Sequence, residues 1–175
     1  MPKTTTKRSG GKMVTRQLTI NDKKLFNEFN KTILDSIANS EWFIPFSPDD
    51  EQVLTPDHDL FLGVFDGDKL VGISGLILTE TFYGEIRDVL GLQGKKIAEV
   101  GGSMVLPEYR GKNIMLSINK MLVQIAKEQG YEYLVATVHP DNVASRTSAE
   151  TLGFVKKDCI LRKGKFLRNV YIMKL

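Results

Sequence analysis

Apolar and polar residues alternate over residues 14–20 (V-T-R-Q-L-T-I), the period-2 pattern of a half-buried strand. Asn21 or Asp22 can cap a following helix, in which Leu25, Phe26, Phe29, Ile33, Leu34 and Ile37 recur at helical spacing up to about Ala38. The pattern then breaks. From Glu41 to Pro56, prolines 45, 48 and 56 interrupt regular structure, and Trp42, Phe43 and Phe46 sit near acids. That stretch is either a loop packed on the core by its aromatics or the wall of a binding site. Residues 60–65 and 70–78 are β-rich runs joined through Asp66-Gly67-Asp68, a strong hairpin signal. Residues 79–96 are ambiguous, with Phe82, Ile86, Val89 and Leu90 suggesting a short helix. Residues 97–106 form the next strand. It contains Gly101-Gly102, which weakens a strand unless a bulge or the close approach of another chain or ligand requires it.

The second half is clearer. Ile114, Ile118, Met121, Leu122, Ile125 and Ala126 make one apolar stripe on a helix over residues 113–129, ended by Gly130. Residues 133–138 (Y-L-V-A-T-V) are nearly continuous in apolar residues, as in a strand buried on both faces and parallel to the strand before the helix. His139-Pro140-Asp141-Asn142 leads into a helix over residues 143–152, ended by Gly153. A hairpin of residues 154–161 and 166–173 turns around Lys163-Gly164-Lys165. With no internal repeat, the pattern predicts a single mixed α/β domain over residues 13–175.

Composition narrows the class. With 175 residues, 42% hydrophobic and 26% charged, the chain reads as one ordinary globular domain. No apolar run is long enough to span a bilayer, and the first twelve residues lack the apolar core of a signal peptide. A single cysteine, Cys159, excludes an internal disulfide, so a cytoplasmic location is expected. Cys159 lies in an apolar run and reads as a small core residue rather than a nucleophile. The net charge of +3 is carried by residues 1–12, which hold Lys3, Lys7, Arg8 and Lys12 and no acid. The remainder has 20 basic and 21 acidic residues, which argues against a nucleic-acid surface. The basic Thr/Gly/Ser-rich tail is expected to be disordered; a contact of the tail with RNA or an anionic surface is a separate expectation. One cysteine and two distant histidines give no metal-ligand spacing, so no metal is expected.

The stretch that concentrates chemistry is residues 98–115, A-E-V-G-G-S-M-V-L-P-E-Y-R-G-K-N-I-M. A strand leads through a Gly-containing turn to a helix N-terminus, where free N–H groups and the helix dipole favour a phosphate. Arg110 and Lys112 add full positive charge there. The turn is not a P-loop, because G-x-x-x-x-G-K is absent.

Two segments, V-L-P-E-Y-R-G-K-N (residues 105–113) and N-V-A-S-R-T-S-A-E-T-L-G-F (residues 142–154), in this order and separated by a helix and a strand, resemble the GCN5-related N-acetyltransferases. The resemblance implies the acyl-CoA N-acyltransferase fold: a central, mostly antiparallel sheet with one splayed parallel strand pair, flanked by helices. It implies acetyl-CoA as cosubstrate and a primary amine, of a small molecule or a protein N-terminus, as acceptor. The family's R-x-x-G-x-G diphosphate loop falls on Arg110, Gly111, Lys112, Asn113, Ile114 and Met115, with Asn and Met in place of the two later glycines. Backbone N–H groups survive that change, and Asn tolerates left-handed backbone. Met104 and Val105, with Gly102, would expose backbone to the pantetheine arm. Asn142 would steady the arm from the second strand or cap the helix. The tyrosine that many members use as general acid is absent, since Ala149 stands at its position. Ser145, in N-x-x-S, is similar to the serine implicated in the branch that acetylates ribosomal protein N-termini; the competing reading is an ordinary first-turn serine. Glu99 is the candidate base, His139 the second, with His58 and Asp59 behind them. A backbone N–H near Val105 would hold the oxyanion. A silent acyl-CoA-binding domain is the alternative. No membrane partner is expected, and a homodimer is allowed.

The acceptor must attack as a neutral amine. At an amine pKa of about 10.4, that form lies roughly 4.6 kcal/mol uphill at pH 7, whereas protonating a thiolate of pKa about 8.5 yields at most roughly 2 kcal/mol. A proton acceptor therefore matters more than an acid.

Overall fold

The computed structural model describes residues 12–44, 54 and 59–175, with residues 80–82 described by their backbone alone. Seven strands form one sheet in the order β1-β2-β3-β4-β5-β7-β6. They are β1 (Val14–Gln17), β2 (Leu60–Asp66), β3 (Lys69–Ile77), β4 (Ile97–Val105), β5 (Tyr133–Val138), β6 (Val155–Arg162) and β7 (Phe166–Lys174). The α-helices are α1 (Lys23–Ser36), α2 (Glu80–Val89), α3 (Ile114–Glu128) and α4 (Val143–Leu152). Neighbouring strands run antiparallel except β4 and β5, which are parallel across α3. This is the mixed sheet with one parallel pair that the sequence predicts.

The main core lies under α1 and α3. Phe26, Phe29 and Ile33 of α1 and Ile118 and Leu122 of α3 are buried there. Phe26 meets fully buried Phe61 edge-on, with ring centroids 5.3 Å apart; burying such a side chain contributes about 2–3 kcal/mol. A smaller cluster joins Ile86 of α2 to Ile97, Val135 and Val170.

Four details depart from the sequence pattern. β1 stops at Gln17 and residues Ile20–Asp22 form a 3-10 turn. Asp22 stands at the N-cap of α1, but its carboxylate does not bond the helix: it accepts from Thr19 N at 2.8 Å and from Arg16, and so closes that turn. On α3, Met121 is 42% exposed while Asn119 is 6% exposed, so the buried stripe includes an amide in place of a thioether. Cys159 is exposed, because β6 is the outermost strand and turns most of its side chains to solvent. Residues 1–11, Pro45, Phe46, Pro48, Pro56, His58 and the acids Asp49, Asp50 and Glu51 lie outside the described residues.

Candidate active site

β4 and β5 pair only over residues 97–99 and 133–135. Beyond Glu99 and Val135 the two strands separate, and a cleft of about 560 Å³ opens between them. A bulge on β4 accompanies the divergence. Gly101 and Met104 pair with Gly75 and Ile73, so β4 carries one residue more than β3 across this interval. Gly102 takes φ +62°, a conformation that penalises any side chain with a Cβ. The glycine pair therefore marks a bulge beside the cleft, and both glycines line it.

The N-terminus of α3 closes one end. Pro107–Tyr109 form a 3-10 turn, Gly111 has φ +75°, and Asn113 caps α3 at φ +57°. Asparagine holds the left-handed conformation expected of it. Among the described residues, the N–H groups of residues 111–116 donate to no backbone or side-chain acceptor. Left-handed residues in such a turn gather N–H groups into an anion-binding concavity. Arg110 donates from Nε to Val105 O at 3.2 Å, which ties the turn to the end of β4. Lys112 does not line the cleft; its Nζ lies 4.7 Å from the centre of the Tyr109 ring. Tyr109 donates to Asp66 at 2.8 Å, and that bond raises its pKa. The N–H of Leu106 is committed to Val71 O at 2.9 Å, so it is not free to hold an oxyanion.

On the opposite wall, Asn142 Oδ1 accepts from Ser145 N at 3.2 Å and caps α4. Its Nδ2 makes no hydrogen bond among the described residues. Both readings of Asn142 are thus compatible in one side chain: the oxygen caps and the amide nitrogen is left to donate. Ser145 and Ala149 line the cleft, as do Met104, Val105, Gly111, Asn113, Ile114 and Met115. Two groups escaped the sequence reading. Ser148 Oγ is buried on the cleft wall without a partner; its three-residue offset from Ser145 on a helix was the available signal. Asn119 Oδ1 accepts from Ser74 Oγ at 2.6 Å, and Ser74 pairs with Ser103 at 2.7 Å, a polar cluster at the cleft floor.

A second, smaller chamber of about 90 Å³ adjoins the cleft, and Trp42, Phe43, Gly101, Gly102 and Thr137 line both. Glu99 is on its wall and is 4% exposed. Both its oxygens accept from Arg162, Oε1 from Nη1 at 2.6 Å and Oε2 from Nη2 at 2.7 Å. Arg162 also donates to Thr137 Oγ1 at 2.7 Å, and Thr137 donates to Glu99 Oε1 at 3.2 Å. Protonating Oε1 or Oε2 would disturb a charge-assisted bond. Glu99, the candidate base, is therefore already paired. The Arg162 partner was not read from the sequence, being 63 residues away. His139 lines neither cavity; its Nδ1 accepts from Asp141 N at 3.1 Å and its Nε2 lies 3.9 Å from Glu41. Asp59 holds the end of β3 through Leu78 N and Thr79, a structural task.

Comparison with known proteins bears on this geometry. The family model described as acetyltransferase (GNAT) family matches residues 27–154. The chain belongs to the GNAT acetyltransferases. Solved structures share the fold at low identity. The GNAT domain of PAT from S. lividans superposes with TM-score 0.72 at 17% identity, covering 96% of this chain and 93% of that one. An acetyltransferase of the GNAT family from Streptococcus pneumoniae gives 0.68 at 17%, covering 94% and 100%. The PaiA N-acetyltransferase from Thermoplasma acidophilum, solved in complex with coenzyme A, gives 0.65 at 18%, covering 93% and 99%. No curated protein matches the sequence.

GNAT proteins use acetyl-CoA, and the residues here fit such a molecule. The cleft has the size of a small-molecule site. Free N–H groups converge at one end, and the buried Ser148 hydroxyl and Asn142 amide lack partners along the wall. No helix among the described residues is long and apolar enough to cross a membrane.

Proposed function

We propose that this GNAT protein moves an acetyl group from acetyl-CoA to a primary amine of a small molecule or a protein N-terminus. The observation that carries the reading is the meeting of two cavities at Gly101, Gly102 and Thr137. One, at about 560 Å³, has room for a pantetheine-like arm, and the other, at about 90 Å³, suits a small amine. Acetyl-CoA supplies an activated thioester carbonyl. The N–H groups of residues 111–116 and the Arg110 guanidinium hold its diphosphate, with Lys112 adding charge at longer range. The backbone of Met104 and Val105 and the Asn142 amide steady the arm. Ser145 is the proton donor to the departing sulfur.

Glu99 is the proton acceptor in this reading. Oε2 takes one bond from Arg162 and keeps a lone pair, which a water between it and the amine can reach. Arg162 occupies both Glu99 oxygens, so amines that need little help to lose a proton are favoured. An α-amino group of pKa about 7.7–8.0 reaches its neutral form at pH 7 for roughly 1 kcal/mol, against roughly 4.6 for a lysine-like amine.

The experiment is thiol release from acetyl-CoA across a panel of amines and peptides, with CoA binding followed separately by calorimetry. Turnover with at least one amine is expected, reduced in Glu99→Gln and Ser145→Ala while CoA binding holds. A second reading, a silent acyl-CoA binder, is favoured by the engaged Glu99 and by Ala149. CoA binding with no thiol release from any acceptor selects it.

A further inference from the structure

The smaller chamber is walled by a buried cation that forms no ion pair among the described residues. Arg168 of β7 is 2% exposed and makes no ion pair among the described residues. Nη1 donates to Leu167 O and Nη2 to Glu41 O, each at 2.7 Å. A guanidinium has five N–H donors; the others make no hydrogen bond among the described residues, and the Phe166 ring centre lies 5.6 Å from Cζ. Burial lowers the pKa of Arg168 and the neighbouring Arg162 lowers it further, against the weaker opposing pull of Glu41 and Glu99. The nearby carboxylates do not cancel the charge. Glu99 faces Arg162 through both oxygens, and the Glu41 side chain is 75% exposed beside His139. Glu99 is the one acid among the described residues of the chamber wall, and Arg162 occupies both its oxygens, which leaves neither facing Arg168.

A desolvated charge is stable when paired. A ligand that is cationic throughout would meet like charge here, whereas an anionic group would complete the wall. We infer that the acceptor carries a carboxylate close to its amine, and that Arg168 receives it. The inference rests on the N-acetyltransferase reading. Guanidinium and carboxylate match as two forks, which fixes orientation as well as affinity. At about 90 Å³ the chamber takes an amino-acid-sized head and leaves the remainder of a larger acceptor outside. The sequence supplies a competing class. Asp49, Asp50 and Glu51 follow the chamber residues Trp42, Phe43 and Ile44 and would favour a polyamine.

Trp42 is the chain's single tryptophan and lines both cavities, so its fluorescence reports occupancy. In CoA-loaded protein, each amino acid is titrated beside its amide and its decarboxylated amine, with a diamine as the competing class. The carboxylate member is expected to bind at least tenfold more tightly, and to show at least tenfold higher kcat/KM by thiol release from acetyl-CoA. In Arg168→Lys this advantage falls below threefold, while CoA affinity and amide binding stay unchanged. Equal responses to acid and amide, or preference for the diamine, overturn the inference on the unaltered protein, whatever the folding of the variant. A carboxylate-selective Trp42 response without thiol release from any amine removes the transferase reading and leaves the carboxylate site standing.

Discussion

The large cleft, the proposed cofactor site, and the small chamber, the proposed acceptor site, share a wall but are made of different material. The α3 end of the cleft is shaped by main chain: a bulge at Gly102, left-handed turns at Gly111 and Asn113, and free N–H groups at the start of α3. The chamber is side chain, and its charged groups come from distant parts of the sequence. Glu99 meets Arg162 across 63 residues, and Arg168 reaches Glu41 across 127. A site built from N–H groups tolerates substitution wherever the backbone conformation survives. On this reading Asn113 and Met115 can stand where the family's R-x-x-G-x-G pattern has glycine. A site built from buried charges tolerates little, because Glu99 and Arg162 compensate each other.

The sharpest way to break this contrast is to remove one member of the chamber pair. Glu99→Ala leaves Arg162 buried and uncompensated, and Arg162→Ala does the same to Glu99. Each is expected to destabilise the fold by about 3–5 kcal/mol, lowering the melting temperature by roughly 10 °C. Losses below about 1 kcal/mol in chemical denaturation would show that solvent reaches the pair and that the chamber is not a low-dielectric site.

Ser145→Ala tests a side chain on the main-chain side. If it protonates the departing thiolate, its loss lowers turnover by no more than about thirtyfold, the kinetic equivalent of roughly 2 kcal/mol. CoA affinity should hold, because the N–H of Ser145 still meets Asn142. A matching drop in affinity, seen by calorimetry, would make Ser145 a binding group instead. At Asn113 the backbone itself is at stake. Asn113→Val puts a β-branched residue at φ +57° and should cost about 1–2 kcal/mol, read as weaker CoA binding and a lower melting point. Asn113→Gly should bind CoA at least as well as the parent. Equal behaviour of the two variants would mean that the turn does not depend on left-handed geometry.

The same contrast explains what could be read from the sequence. The cleft was legible because its signals are local. Gly101-Gly102, Arg110-Gly111 and N-x-x-S each lie within a few residues of the elements they shape. Strand β5 was placed to the residue by its continuous apolar run, and α4 by Asn142 and Gly153 at its ends. The chamber was half legible: Glu99 stands out as an acid in an apolar strand, but nothing near it announces Arg162 or Arg168. Asn119 was hidden for a related reason. Its partners Ser74 and Ser103 sit on other elements, so a polar residue at a core position looked like surface. Cys159 failed in the opposite direction, since an apolar run on an outermost strand need not be buried.

The smallest effect separates burial from pairing. Arg16 and Asp22 form a fork like that of Arg162 and Glu99, at 2.7 and 2.9 Å, but Arg16 is 46% exposed. The Arg16 guanidinium, helped by the N–H of Thr19, holds the Asp22 carboxyl at about 2 against the opposing effect of burial. The unfolded value is about 3.9. The folded carboxyl thus titrates lower, so its stabilisation is complete above about pH 4 and is lost as pH falls towards 2. The full shift would correspond to about 2.5 kcal/mol; exposure of Arg16 and screening reduce this to roughly 1 kcal/mol. Asp22→Asn should therefore be destabilised by roughly 1 kcal/mol at pH 7, match the parent near pH 2, and lose part of the difference in 1 M salt. Loss of Arg162 should show little salt dependence, because its pair is closed to solvent. If the two variants respond alike to salt, burial is not what makes the chamber's charges consequential.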